Sequence, residues 1–182
     1  MPNLTEDARL GGTVLRRTVF SEREIQERVR ALGEEISRSY AASDRLLLLG
    51  LLKGSFLFLA DLVRAVDLPL HVDFLVASSY GVGQTSTGDV RLLYDPEAPL
   101  KDRAVILVED IVDSGTTLNR LIPRLEARDP RSLQVCALLH KRKARLVREP
   151  RWVGFDAPNE FLVGYGLDYG EDFRHLPYIA SL

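Results

Sequence analysis

The sequence predicts an α/β fold with a mostly parallel sheet flanked by helices. Three observations carry this. Short, largely apolar runs at 46–52, 104–108 and 133–139 read as strands, that at 104–108 as one buried on both faces. Segments with helical spacing separate them. Each run also ends in a cluster of polar, charged or glycine residues, and ligands of open parallel sheets bind beyond the carboxyl ends of the strands.

Residues 21–40 read as an amphipathic helix. Ser21 and Glu24 form a capping-box signature, and Ile25, Val29, Leu32 and Ile36 fall on one face. The run 46–52 ends at Lys53-Gly54-Ser55 and is followed by a helical pattern through Val66. Residues 70–80 read as a strand, 81–88 as a Gly/Ser/Thr-rich stretch and 89–94 as a returning strand, together a long mobile hairpin. The apolar run 104–108 exits into Glu109-Asp110-Ile111-Val112-Asp113-Ser114-Gly115-Thr116-Thr117, after which Leu118, Leu121, Ile122 and Leu125 resume helical spacing. The run 133–139 ends at His140-Lys141-Arg142, and 152–155 and 161–163 read as short strands around the turn 156–159. A chain of 182 residues without repeats or a long linker suits one domain.

Charged residues make up 27% of the chain and the net charge is only −2, which gives no whole-molecule argument for nucleic acid or an anionic membrane. No apolar run approaches the roughly 20 residues that span a bilayer, and residues 1–9 carry acids and no apolar stretch, unlike a signal peptide. The single cysteine, Cys136, lies in an apolar run and reads as a small buried hydrophobe. His71, His140 and His175 have no ligand-like spacing. The expectation is a soluble, cytoplasmic protein with no membrane partner.

The stretch from Val108 to Thr117 carries the most chemistry. A loop of small hydroxyl residues and glycine at a helix N-terminus leaves backbone N–H groups free and aims a positive dipole end at a ligand, a ready phosphate cradle. Gly115 permits close approach, and Ser114, Thr116 and Thr117 add donors. Glu109 and Asp110 would repel a phosphate, so ribose hydroxyls or a divalent cation suit them better. A plain capped helix, with Asp113 or Ser114 as the N-cap, is the alternative. Two further acids directly after an aliphatic strand weigh against it, because unpaired acids there are costly.

Residues 108–117 closely resemble the phosphoribosyl-pyrophosphate signature of type I phosphoribosyltransferases, and the Glu-Asp pair resembles the 6-oxopurine branch, that of hypoxanthine-guanine enzymes. The resemblance implies that Glu109 and Asp110 hold the ribose hydroxyls and that Asp113, Ser114, Gly115, Thr116 and Thr117 bind the 5-phosphate. Asp113 would face N7 of the purine as general base. Leu51-Leu52-Lys53-Gly54 resembles the pyrophosphate loop, where many members have a non-proline cis peptide before the glycine. Ser78-Ser79-Tyr80 with the run ending at Asp89 resembles the closing loop, a lid over about 78–90. Lys141 looks like the lysine that reads the purine O6: an ammonium donates to a carbonyl but cannot accept from adenine's amino group. Residues 161–169 resemble the purine-binding segment, with Phe161 stacking on the base opposite Ile111, and main-chain groups of Leu162 and Asp168 reading its edge. Asp168, with Glu109 and Asp110, would lie near Mg2+, and Arg174 near the pyrophosphate.

Five motifs thus stand in family order between about Leu46 and Arg174. One departure is visible: the stretch from Lys141 to Trp152 is slightly shorter than in better-known members and unusually basic. The implied fold is a type I phosphoribosyltransferase core over about 40–140, with a small hood from the N-terminal segment and about 141–182. The implied activity is purine salvage from phosphoribosyl pyrophosphate and a 6-oxopurine, in a homo-oligomer, dimer or tetramer. The basic run 141–151 keeps open an RNA-binding, nucleotide-sensing regulator on the same fold, and a non-catalytic sugar-phosphate sensor is a third reading.

Overall fold

A computed structural model describes residues 7–79, 90–143 and 145–182, without the side chains of 77–79 and 90–93. Its main sheet has six strands in the order β4-β3-β2-β5-β6-β7. These are β2 (Leu46–Leu52), β3 (Leu70–Ser79), β4 (Val90–Tyr94), β5 (Ala104–Val112), β6 (Ser132–His140) and β7 (Trp152–Asp156). Strands β3, β2, β5, β6 and β7 run parallel, and β4 is antiparallel at the edge.

Alternation along the central strands explains why they are aliphatic throughout. Leu46, Leu48, Ile106, Val108, Cys136 and Leu138 pack with α1 (Glu22–Ser39) and α2 (Phe56–Ala65). The intervening Leu47, Leu49, Val105, Leu107, Val135 and Ala137 pack with Leu118, Leu121, Ile122 and Leu125 of α3 (Thr116–Glu126). Both faces are covered, so period-two polarity vanishes. Ser21 caps α1 with the expected capping box to Glu24, and Cys136 is buried.

A second, antiparallel sheet has the order β1-β9-β8, from β1 (Arg17–Phe20), β8 (Leu162–Val163) and β9 (Ile179–Ser181). Its own core gathers Leu10, Leu15, Val163, Phe173, Leu176, Tyr178 and Ala180.

One expectation and one alternative need correction, and two strands are new. β5 does not stop at residue 108 but runs to Val112, pairing Glu109 with Ala137 and Ile111 with Leu139 of β6, so the acids stand on a strand rather than in a loop. The N-cap of α3 is Gly115, in a left-handed conformation at φ 76°, not Asp113 or Ser114. Strands β1 and β9 were not foreseen. Most of the expected lid, including Tyr80, lies outside the described residues; Ser79 is the last residue of β3. Among the described residues no helix is long and apolar enough to cross a membrane.

Candidate active site

The carboxyl ends of β2, β5 and β6 lie side by side, because β5 pairs with both neighbours. Glu109 and Asp110 stand near the carboxyl end of β5. Glu109 is buried and its Oε2 has no hydrogen-bond partner. Burial, and then the neighbouring Asp110 carboxylate, push its pKa well above the usual carboxylate range. Burial also pushes Asp110 up, to about 6, against lowering by the backbone N–H groups of Ile111 and Asp110 and by Arg174; Asp168 adds to the rise.

The loop after β2 lies directly on these acids. A Cβ on Gly54 would stand 1.7 Å from Asp110 Oδ2, so only glycine lets the loop approach. The Leu52–Lys53 peptide is cis. From above, the C-terminal segment closes onto the same loop: a Cβ on Gly166 would come within 2.1 Å of the Gly54 carbonyl oxygen. Arg174 fixes that segment, donating from Nη1 to the Gly166 carbonyl at 2.8 Å and pairing with Asp168 Oδ1 at 2.8 Å. Asp168 Oδ2 accepts the Glu171 N–H at 2.9 Å, and Lys53 Nζ reaches both Glu171 carboxylate oxygens at 3.0 Å.

The loop after β5 forms a recess of about 80 Å³ lined by Glu109 and residues 111–118. Gly115 has no side chain with which to cap α3, and of the helix's first N–H groups that of Thr116 donates to Ser114 Oγ at 3.4 Å. Ser114 Oγ and Thr116 Oγ1 stand 3.0 Å apart. At the end of β6 the Lys141 backbone N–H donates to the Val112 carbonyl at 3.0 Å, which swings its side chain over the loop. Lys141 Nζ meets Asp113 Oδ2 at 2.8 Å, with the lysine side chain only 10% exposed and Asp113 half-exposed.

Ile111 is half-buried against the core. Phe161 is 55% exposed, with its ring edge-to-face with Tyr169 at 5.6 Å. Leu162 is buried and paired with Ser181. The structure therefore gathers the predicted residues into an acid–glycine–arginine cluster (Glu109, Asp110, Gly54, Asp168, Arg174), the Asp113–Thr117 loop with Lys141, and an aromatic pair. Glu171 and Tyr169 were not singled out beforehand. Their contacts depend on a turn with left-handed backbone at Gly170, Glu171 and Phe173, and non-glycine residues give little sequence signal for that.

Most of the basic run is engaged internally. Arg142 binds Asp156 at 2.7 Å, Lys143 binds Asn159, Arg148 binds Glu126, and the Arg151 guanidinium lies 4.7 Å from the Trp152 ring centroid. His140 is buried, and burial lowers its pKa.

A loop at the N-terminus of α3, paired with acids on the preceding strand of a parallel sheet, defines a phosphoribosyltransferase, and the chain belongs to that family: the phosphoribosyl transferase domain model matches residues 18–170. Within the family it is similar to hypoxanthine and hypoxanthine-guanine phosphoribosyltransferases. It is 47% identical over 166 residues to the hypoxanthine phosphoribosyltransferase of Salmonella typhimurium, covering 90% of this chain and 93% of that protein. A crystal structure of a hypoxanthine-guanine phosphoribosyltransferase from Bacillus anthracis, with a HEPES molecule in its active site, superposes with a TM-score of 0.86 at 40% identity, covering 92% and 99% of the two chains. A hypoxanthine phosphoribosyl transferase from Trypanosoma cruzi, solved to address the role of its C-terminal region in oligomeric state and activity, matches with a TM-score of 0.86 at 38% identity over 92% and 91%.

Proposed function

We propose that the protein is a purine-salvage enzyme that transfers 5-phosphoribosyl from its 1-pyrophosphate to hypoxanthine or guanine, forming IMP or GMP and releasing pyrophosphate. The carrying observation is the Lys141–Asp113 pair at 2.8 Å beside the α3 N-terminus. A 6-oxopurine presents a carbonyl O6 next to N7, so it needs one fixed donor and one fixed acceptor side by side. Lys141 donates to O6, and Asp113 takes the proton released at N7 when the base attacks C1 of the sugar. Adenine offers an amino group to an ammonium and is refused.

The remaining residues divide the donor between them. Residues 113–117 cradle the 5-phosphate on backbone N–H groups and hydroxyls. Glu109 and Asp110 accept hydrogen bonds from the ribose hydroxyls; the unpartnered, buried Glu109 Oε2 supports this, because such an acceptor calls for a ligand. Lys53, Gly54 and Arg174 face the pyrophosphate. Phe161 stacks on the purine opposite Ile111, a contact worth roughly 1–3 kcal/mol, while main-chain groups of Leu162 and Asp168 read its edge. The second sheet serves as a hood over the core.

Mg2+ is the expected cofactor. Among the described residues no three acidic, histidine or cysteine side chains converge into a metal-binding group. That fits Mg2+ nonetheless, since it is commonly held by one or two carboxylates together with substrate oxygens. One or two of the three acids expected near it, Glu109, Asp110 and Asp168, would be its protein side, and bound there it would neutralise the leaving pyrophosphate. Self-association as a dimer or tetramer is supported by Val72 and Phe74, which stand exposed on β3; the cytoplasm is the proposed location. The RNA-binding reading loses its footing in the internal pairing of Arg142, Lys143 and Arg148.

A base panel with phosphoribosyl pyrophosphate and Mg2+ tests the assignment: turnover with hypoxanthine and guanine and none with adenine is expected. Asp113→Asn should lower turnover by about 10²–10⁴ while donor affinity holds. Near-normal turnover would overturn the base role.

A further inference from the structure

Glu171 lies outside every motif that describes the site, yet its carboxylate engages two of the cations assigned to the pyrophosphate. Lys53 Nζ meets its two oxygens at 3.0 Å, and Arg174 Nη2 comes to 3.4 Å. Nothing about a surface turn requires that choice. Glu171 sits at φ 73°, a conformation that side-chain-bearing residues rarely adopt, and its N–H is tied to Asp168 Oδ2 at 2.9 Å. The turn that anchors Asp168 thus also carries an acid back across the seam to the loop after β2. That seam is already tight, with Gly166 stacked on Gly54 and Gly54 on Asp110.

An oxyanion held by a lysine on one wall and an arginine on the other has the same recognition chemistry as one end of a pyrophosphate. We infer that Glu171 is an internal stand-in for pyrophosphate: it holds Lys53 and Arg174 in position in the ligand-free protein and releases them when the polyphosphate arrives. The inference rests on the assignment of Lys53 and Arg174 to the pyrophosphate. Such a stand-in must be displaceable, and it is: both partners of the Lys53–Glu171 pair are about two-thirds exposed, and such pairs are weak. The carboxylate keeps the cations from scattering into solvent but competes for them, so it lowers affinity for every ligand carrying that group, donor and product alike. Easier product departure is the functional return.

The experiment compares wild type, Glu171→Gln, Glu171→Asp and Lys53→Gln, titrating inorganic pyrophosphate with Mg2+ by calorimetry and measuring KM for both substrates. Glu171→Gln should tighten pyrophosphate binding and lower the donor KM by the same factor, about two- to five-fold from the strength of exposed ion pairs, with the hypoxanthine KM unchanged. Glu171→Asp keeps the charge on a shorter arm and should fall between. In the Lys53→Gln background the effect of Glu171→Gln should shrink towards none. If Lys53→Gln itself leaves pyrophosphate affinity unchanged, the pyrophosphate assignment fails and takes the inference with it. If Lys53→Gln weakens pyrophosphate binding but Glu171→Gln leaves it unchanged or weakens it too, the stand-in alone is wrong.

Discussion

Two residues show how the site trades stability for chemistry. Glu109 is buried with an oxygen that nothing satisfies, and its charge is disfavoured by desolvation and by Asp110. Its folded pKa is raised, so the stability it contributes is fully present below the unfolded carboxylate value and is lost as pH rises through the folded one. Glu109→Gln removes the ionisable group at nearly constant shape. The variant should be more stable than wild type at pH 8 by about 1–3 kcal/mol, with the gain shrinking towards pH 5, while donor binding is lost. Denaturant midpoints at the two pH values decide it; a variant less stable at pH 8 would contradict the origin given for the raised pKa. Lys141 makes the second case. Its ammonium is nearly buried and paired with Asp113. Lys141→Gln replaces a pure donor with a group that also accepts, which suits an amino substituent as well as a carbonyl. The hypoxanthine KM should rise by about ten- to a hundredfold, the worth of a hydrogen bond to a charged group, and discrimination against adenine should fall. Competition assays with the two bases measure both, and unchanged discrimination would remove Lys141 from base selection.

Elements bring these residues together, and here the reach of the sequence is uneven. Strands β2 and β6 were readable because burial on both faces makes their residues uniformly aliphatic, a pattern a single surface strand does not produce. Helix α1 announced itself through Ser21 and Glu24. β5 was read too short because polarity was taken to end a strand, whereas its ladder to β6 continues through Glu109 and Val112. That extension matters, since it fixes Glu109 by backbone pairing and holds Asp110 between paired neighbours. β1 and β9 are four and three residues long, too short for periodicity to register, and their partners lie far apart in the chain. In the site, contiguous stretches such as 109–117 were legible, whereas the Lys53–Glu171 contact spans 118 positions. Gly54 is the tightest joint between elements. Gly54→Ala would set a methyl 1.7 Å from Asp110 Oδ2, where no ordinary contact exists, so the loop or the carboxylate must move. Overpacking of this kind costs about 1–3 kcal/mol. Donor KM should rise far more than purine KM, because the joint is made by Gly54 and Asp110, both assigned to the donor. A variant with wild-type donor KM would show that the loop has room to yield.

At the scale of the whole molecule, the two sheets are packed together, since Leu162 of β8 and Ile179 of β9 join the core formed by α1, α2 and the main sheet, and in the proposed function the donor engages both. Besides the stacking of Gly166 on Gly54, the sheets are joined by the Tyr165 hydroxyl, which donates to Asp61 Oδ2 of α2 at 2.6 Å. Ligand binding to the native state alone raises stability by an amount set by concentration over Kd. How that amount changes with pH follows from Asp110. Its pKa in the ligand-free protein is about 6, raised mainly by burial. The stability associated with it is therefore complete below the unfolded value of 3.8 and is lost as pH rises through about 6. Ribose hydroxyls donating to the carboxylate favour the ionised form, so donor binding lowers this pKa and releases a proton. Affinity must then increase with pH across the same window. The thermal stabilisation by saturating GMP should grow from pH 5 to pH 7.5. Part of that growth comes from the nucleotide, whose phosphate has a second pKa near 6. Asp110→Asn separates the two contributions, since it keeps the phosphate's titration and removes the carboxylate's. The difference in slope between wild type and variant isolates Asp110. Parallel slopes would mean that the sugar does not engage this acid, and that the two sheets are bridged through the phosphate end alone.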